Sequence, residues 1–223
     1  MSDVASIAIF DLDRTLHSGS GLGVLARMAF RERIIGADRL ARSLFHDMIY
    51  RQRGSTDGQI SSIVEIALKM AAGFAVADLE EIVERAAQSI ASSIRPAMRL
   101  LLDNHLRAGH DCVLLSASPD MLVTRIAELI GCDHGIGSLV GVEDGILTGH
   151  IVKPMCYGQG KLIRLEEAMG WGLENSHHSF SYAYADSMSD LPLLEAVEAP
   201  VVISPDRPLR KLANQRDWPV IDF

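Results

Sequence analysis

Ile7-Ala8-Ile9-Phe10-Asp11-Leu12-Asp13-Arg14-Thr15-Leu16 is the stretch that decides the fold. Four apolar residues, two of them β-branched, run straight into two carboxylates spaced i, i+2. A short apolar run of this kind reads as a buried strand. The acids then stand at its carboxyl end, the edge of an open α/β sheet where ligands bind. Residues i and i+2 of an extended chain leave on the same side. Asp11 and Asp13 therefore repel each other and call for a cation or a shared proton. Hard, oxygen-coordinated Mg²⁺ is the natural candidate. An Asp-x-Asp after a strand is also compatible with a solvated turn and a helix cap. The residues that separate these readings lie further along.

After Leu16, His17-Ser18-Gly19-Ser20-Gly21 reads as a loop or hinge. From Leu22 to about Arg53 apolar residues recur at helical spacing, with Gly36 a point of division. Gly54 to Gly58 reads as a loop. Ile60 to Leu68 marks a second helix, ending near Gly73. Leu79, Ile82, Val83, Ala86 and Ile90 mark a third, stopping before Pro96. Asp78, Glu80 and Glu81 are expected in its first turn, where acids suit the helix dipole. Pro96 opens one more helix. His110-Asp111-Cys112-Val113-Leu114-Leu115-Ser116-Ala117-Ser118-Pro119 is then a second apolar strand, ending in small hydroxyl residues. About a hundred residues separate the two strands, whereas a βαβ crossover needs only a few tens. The excess is helical. Residues 17–92 are therefore expected to form an inserted all-helical cap domain, and residues 1–16 and 93–223 a core domain.

Downstream, helices and strands alternate. A helix is expected over Met121–Ile130, a strand over Ile136–Val140, and a hairpin around Asp144-Gly145. Further helices are expected over Lys161–Met169, Leu191–Val197 and Leu209–Asn214. Strands are expected over Ser181–Ala185, Val201–Ile203 and Pro219–Ile221. The alternation implies an α/β fold with a doubly wound, mostly parallel sheet.

The chain has 223 residues, 48% hydrophobic and 22% charged, with a net charge of −8. This balance argues against nucleic acid or an anionic membrane as the main partner, since both need a basic surface. Cys112, Cys132 and Cys156 are odd in number and fit no zinc spacing. A reducing compartment, the cytoplasm, is expected. No basic segment leads into a long apolar one near Met1, so no signal peptide is expected. His177-His178 lacks further ligands nearby and reads as a surface loop. Arg31, Arg33, Arg51 and Arg53 read as a solvated helix face.

Three strand ends carry groups that do chemistry: Asp11 and Asp13, Ser116, and Asp186. Parallel strands put all three on one edge. Lys161 joins them from a helix start, and Asp190 follows Asp186 by one helical turn. Phosphoryl transfer needs a nucleophile, a proton donor, a metal, and donors for the phosphoryl oxygens, and this set supplies each. Asp11-Leu12-Asp13-Arg14-Thr15, Ser116, Lys161 and Asp186-Ser187-Met188-Ser189-Asp190 resemble the four motifs of the haloacid dehalogenase superfamily. The pattern is similar to the phosphatase branch near phosphoserine phosphatase, which carries a helical cap after the first motif.

The resemblance covers the whole chain and implies the roles. Asp11 would be the nucleophile. Asp13 would be the general acid/base and would lend Mg²⁺ its backbone carbonyl. Thr15 would order the loop. Ser116, the Ala117 N–H and Lys161 would hold phosphoryl oxygens. Asp186 would bind Mg²⁺, and Asp190 would support the metal shell or Lys161. A carboxylate at Asp13 sets the chain apart from the dehalogenases of that superfamily. The implied partner is a small phosphorylated metabolite.

The sequence departs from the family pattern at three points. Ala185 replaces the usual glycine before the fourth-motif aspartate, and Ser189 replaces a common asparagine. Ser20 stands where phosphoserine phosphatases carry an acid for the substrate amine. Phosphoserine phosphatase proper is the second reading. A signalling phospho-acceptor would use similar residues in another chain order, without a helical insert of this size. A non-catalytic binding protein would lack a catalytic group, and none is missing.

Overall fold

The computed structural model describes residues 6–32, 58–152, 154–170, 172 and 181–223. Its frame is a six-stranded sheet of β1 (Ile7–Asp11), β2 (Asp111–Pro119), β3 (His134–Ser138), β6 (Ser181–Ala185), β7 (Ala199–Ile203) and β8 (Val220–Ile221), in the order β3-β2-β1-β6-β7-β8. Every neighbouring pair is parallel. Chain order therefore reverses between β1 and β6, and that is where an open α/β sheet leaves a crevice outside its strand ends.

β1 is buried along its whole length because it serves two cores. Ala8 and Phe10 face one apolar cluster with Cys112, Leu114, Met98 and Leu122. Ile7 and Ile9 face the other, with Val113, Leu115, Leu165 and Leu193. Period-2 alternation in a continuous apolar run produces this two-sided burial. The helices of the first face are α3 (Val76–Ala91), α4 (Pro96–Arg107) and α5 (Asp120–Ile130). Those of the second are α6 (Gln159–Met169), α7 (Leu191–Glu195) and α8 (Arg207–Gln215).

The region between the first two strands contributes α1 (Gly21–Arg31), α2 (Gly58–Ala71) and α3. Gly58, expected in a loop, opens α2 instead. In α3 only Asp78 lies in the first turn; Glu80 and Glu81 fall beyond it. Val83, Ala86, Ala87 and Ile90 of α3 are buried in the same cluster as Phe10 and Leu122, and Ile82 is buried as well. α3 also meets α5 through an ion pair between Glu84 and Arg125.

Asp144 and Gly145 both adopt positive φ, +49° and +78°. This is the geometry of the primed two-residue turns that match strand twist. They join β4 (Val140–Glu143) to β5 (Ile146–Ile151) as an antiparallel hairpin outside the main sheet. The hairpin packs on α2 and pairs with the α2–α3 turn, where Gly73 N donates to Leu147 O at 2.8 Å and Leu147 N to Phe74 O at 2.9 Å. Val140 thus opens the hairpin instead of ending β3. α7 stops at Glu195, short of the expected Val197. Arg33, Arg51, Arg53, His177 and His178 lie outside the described residues. Among the described residues no helix is long and apolar enough to cross a membrane. All three cysteines are free and buried.

Candidate active site

The crevice beyond β1, β2 and β6 is lined by Asp11, Asp13, Arg14, Ser116, Ala117, Tyr157, Lys161, Asp186 and Asp190, among others. Asp11 ends β1 and Ala185 ends β6 just before Asp186, so two parallel neighbours deliver one carboxylate each. Ala185 lies in strand conformation, with no positive φ that would require glycine. Ser116 comes from β2 on the other side of β1. Its hydroxyl accepts the Ser118 N–H at 3.2 Å.

Lys161 sits in the first turn of α6 and is buried. Its Nζ lies 2.7 Å from Asp11 Oδ1 and 2.6 Å from Asp190 Oδ1. Burial alone would lower its pKa, but the two carboxylates outweigh that and raise it, so the side chain stays an ammonium. Asp190 precedes α7 and makes no side-chain cap bond there. The capping use open to such an aspartate is therefore not the one it makes. Its carboxylate is committed to Lys161.

Asp13 does cap, but at a distance along the chain. Its Oδ1 accepts the N–H of Gly21, first residue of α1, at 2.7 Å. A methyl group at Gly21 would lie 3.1 Å from Leu12 Cδ2, 3.2 Å from Ser118 Oγ and 3.3 Å from Asp13 Oδ1. The missing side chain thus lets the helix N-terminus approach the second acid. Burial raises the Asp13 carboxyl's pKa, with the Gly21 N–H opposing.

Asp11, Asp186 and Asp190 are buried and offer oxygens all within 4.8 Å of one another. Burial, against the pull of Lys161, pushes the Asp11 carboxyl up to about 8, with the neighbouring acids adding to the rise. Asp186 is pushed up to about 6, again by burial, and Arg14 opposes it. The Arg14 Nε lies 3.2 Å from Asp186 Oδ2, while most of that side chain is exposed. Among the described residues four carboxylates line the crevice with two cations, Lys161 and Arg14. A pocket of hard oxygen donors short of positive charge fits a divalent cation such as Mg²⁺.

The structure brings Asp11, Asp13, Ser116, Ala117, Lys161, Asp186 and Asp190 together in one crevice. Thr15 is fully buried and its hydroxyl has no hydrogen-bond partner among the described residues. Sequence reasoning passed over Arg14 and Tyr157. Arg14 lies inside the first motif at φ +64°, a left-handed turn position, and its contact with Asp186 spans more than 170 residues. Tyr157 belongs to the loop before Lys161, and no spacing rule marks it.

A family model described as haloacid dehalogenase-like hydrolase matches residues 8–195. The chain belongs to that family. Among curated relatives of this hydrolase, the phosphoserine phosphatase SerB1 of Mycobacterium tuberculosis is 33% identical over 99% of the chain and 72% of its own length. Histidinol-phosphatase of Neisseria meningitidis is 29% identical over 98% of the chain and 99% of its own length. The solved structure of a Bordetella pertussis Tohama I protein of unknown function has a TM-score of 0.83 at 30% identity, covering 98% of this chain and 99% of that one.

Proposed function

We propose that this hydrolase is a Mg²⁺-dependent phosphatase that cleaves a small phosphomonoester through an aspartyl-phosphate on Asp11. The observation that carries the reading is the buried Asp11–Lys161–Asp190 arrangement beside Asp13 at the switch point of the sheet. Asp11 would attack phosphorus as the ester P–O bond breaks, and Asp13 would give its proton to the departing alcohol oxygen. A raised pKa suits an acid that must hold that proton. A water would then attack the aspartyl-phosphate while Asp13 takes its proton back, freeing phosphate and Asp11. Ser116, the Ala117 N–H and Lys161 would bind the phosphoryl oxygens. Asp11, Asp186 and the Asp13 carbonyl would hold Mg²⁺, with Asp190 close by. The ion would offset the carboxylate charge and so keep Asp11 ionised.

Residues 17–92 would serve as a cap over a core of residues 1–16 and 93–223. The contact from Asp13 to the start of α1 links the two. A roofed crevice suits a metabolite, not a polymer, and the acidic net charge disfavours large polyanions.

The test is Asp11→Asn, near-isosteric but far less nucleophilic. Turnover should fall by several orders of magnitude with the circular dichroism spectrum unchanged. Retention of more than about a tenth of the activity would contradict the aspartyl-phosphate mechanism.

The 33% identity to a phosphoserine phosphatase favours a second reading, phosphoserine as substrate. Against it, the exposed Ser20 uses its hydroxyl to accept the Gly23 N–H at 3.3 Å as the cap of α1. A hydroxyl brings no charge to offset a serine ammonium. A kcat/KM for phosphoserine more than about tenfold above a panel of sugar, polyol and amino-alcohol phosphates would establish the second reading instead.

A further inference from the structure

Next to the acidic crevice lies a second cavity of opposite character. Its empty volume is about 630 Å³, open solvent at the mouth included. Its walls come from several places in the chain. Leu22 and Ala29 come from α1, Ala67 from α2, Ile82 from α3, Pro119 from the end of β2, and Leu147 from the hairpin. Every lining residue among those described is apolar. A packed helical interface fills such space with large side chains. Here alanines at 26, 29, 67 and 71 leave it open.

The two cavities are lined by chain neighbours. Asp13 and Ala117 line the acidic one; Leu22 and Pro119 line the apolar one. Between them stand Gly21 and Ser118, whose Cα and Oγ face each other closely enough that a Gly21 methyl would lie 3.2 Å from the hydroxyl. Ser118 is 1% exposed, and its Oγ has no hydrogen-bond partner among the described residues. A buried hydroxyl without a partner is costly, so this one marks a place where a polar ligand atom belongs. The same point lies beside Asp13, the proposed donor to the leaving oxygen.

Resting on the phosphatase reading above, we propose that the substrate is the phosphomonoester of an alcohol with an apolar body. The phosphoryl group would lie on Asp11, and the ester oxygen would pass Ser118 Oγ and Asp13. The alkyl or aryl part would fill the cavity between α1, α2, α3 and the hairpin. Among the described residues the lining offers no carboxylate for an ammonium and no hydroxyl for a polyol, so charged or polyhydroxy leaving groups would gain nothing from it.

The experiment measures kcat/KM with Mg²⁺ for methyl, ethyl, butyl, hexyl and phenyl phosphate, beside glycerol phosphate and phosphoserine. Each added methylene should raise kcat/KM about threefold until the cavity is full. Hexyl or phenyl phosphate should exceed glycerol phosphate and phosphoserine by at least tenfold. Ala67→Leu and, separately, Ala26→Leu at the exposed mouth would fill the space. Either should cut the hexyl-to-methyl ratio about tenfold, a ratio that partial misfolding does not move. Phosphate release with a flat or falling dependence on chain length overturns the inference and leaves the phosphatase reading standing. So does phosphoserine or glycerol phosphate outrunning all alkyl esters. No phosphate release from any ester overturns both.

Discussion

Lys161 holds two buried carboxylates, Asp11 and Asp190, with one ammonium. Lys161→Met keeps much of its bulk and removes the charge. At pH 8 in EDTA, urea unfolding should show a loss of about 3 kcal/mol, the usual cost of stripping the partner from a buried ion pair. Millimolar Mg²⁺ should restore part of it by binding the folded acids. Equal stability of variant and parent in EDTA would mean that the acids are not charged in the fold. Gly21→Ala tests a different contact. Alanine favours a helix over glycine, so the melting temperature should hold or rise. Its methyl would press on Asp13 Oδ1 and Ser118 Oγ, and kcat should fall about tenfold as the acid shifts. An unchanged kcat would show that the Asp13–Gly21 contact does not position the acid. The candidate site was legible because its acids end strands, where sequence pattern and chemistry coincide. Arg14 was not legible: its contact depends on a left-handed turn and on a partner in another strand. The unpartnered hydroxyls of Thr15 and Ser118 leave no trace in sequence at all.

The two passages between the inserted helices and the sheet run side by side. His17 bridges to Ile94, Arg95 N donates to Leu16 O at 2.9 Å, and Ser93 Oγ lies 3.0 Å from His17 Nδ1. If α1 and α2 form a lid, these paired passages would be its hinge, whereas α3 is fixed by its burial among core residues. A lid motion would therefore belong to α1 and α2 and spare α3. Hydrogen exchange with and without beryllofluoride should show added protection at Gly21–Arg31 on binding, with α3 amides protected in both states. Identical protection throughout residues 17–32 and 58–95 would count against a moving lid. Strands and helices were readable from period-2 and period-3.6 runs, and the hairpin from Asp144-Gly145. What a helix packs against was not. The apolar stripe of α3 gives Ile82, Val83, Ala86 and Ile90 as buried, yet the same stripe would serve a cap or a core. The pairing of the hairpin with the α2–α3 turn is likewise a contact between segments some seventy residues apart, beyond any local pattern.

The whole molecule carries two titrating centres that pull its stability in opposite directions. One is His105, packed in the larger core between His110, Tyr182, Tyr184 and Phe10. Its Nε2 is 2.8 Å from Tyr184 Oη and its Nδ1 2.7 Å from His110 Nδ1. Burial, with His110 adding to it, pushes His105 down from 6.5 to about 4. Between those values the unfolded chain binds the proton and the fold does not. His105 thus contributes stability that is present above pH 6.5 and lost as pH falls towards 4, about 2–3 kcal/mol in all. The other centre is the acidic crevice, where burial raises Asp11 to about 8 and Asp186 to about 6. There the fold holds protons that the unfolded chain releases, so metal-free stability declines as pH rises from about 4 to 8. Between pH 4 and 6 unfolding releases protons from both carboxyls and takes one up at His105, so urea unfolding in EDTA should show stability falling from about pH 4 to 8, with His105 making the fall shallower below pH 6.5. With Mg²⁺ the decline should flatten, because the ion takes the place of the protons. His105→Gln should steepen the fall below pH 6.5 alone, leaving the part above it and its response to Mg²⁺ unchanged. Equal slopes below pH 6.5 in the parent and in His105→Gln would mean that His105 is not the opposing group, and an EDTA profile unmoved by Mg²⁺ would count against a cation among Asp11, Asp186 and Asp190.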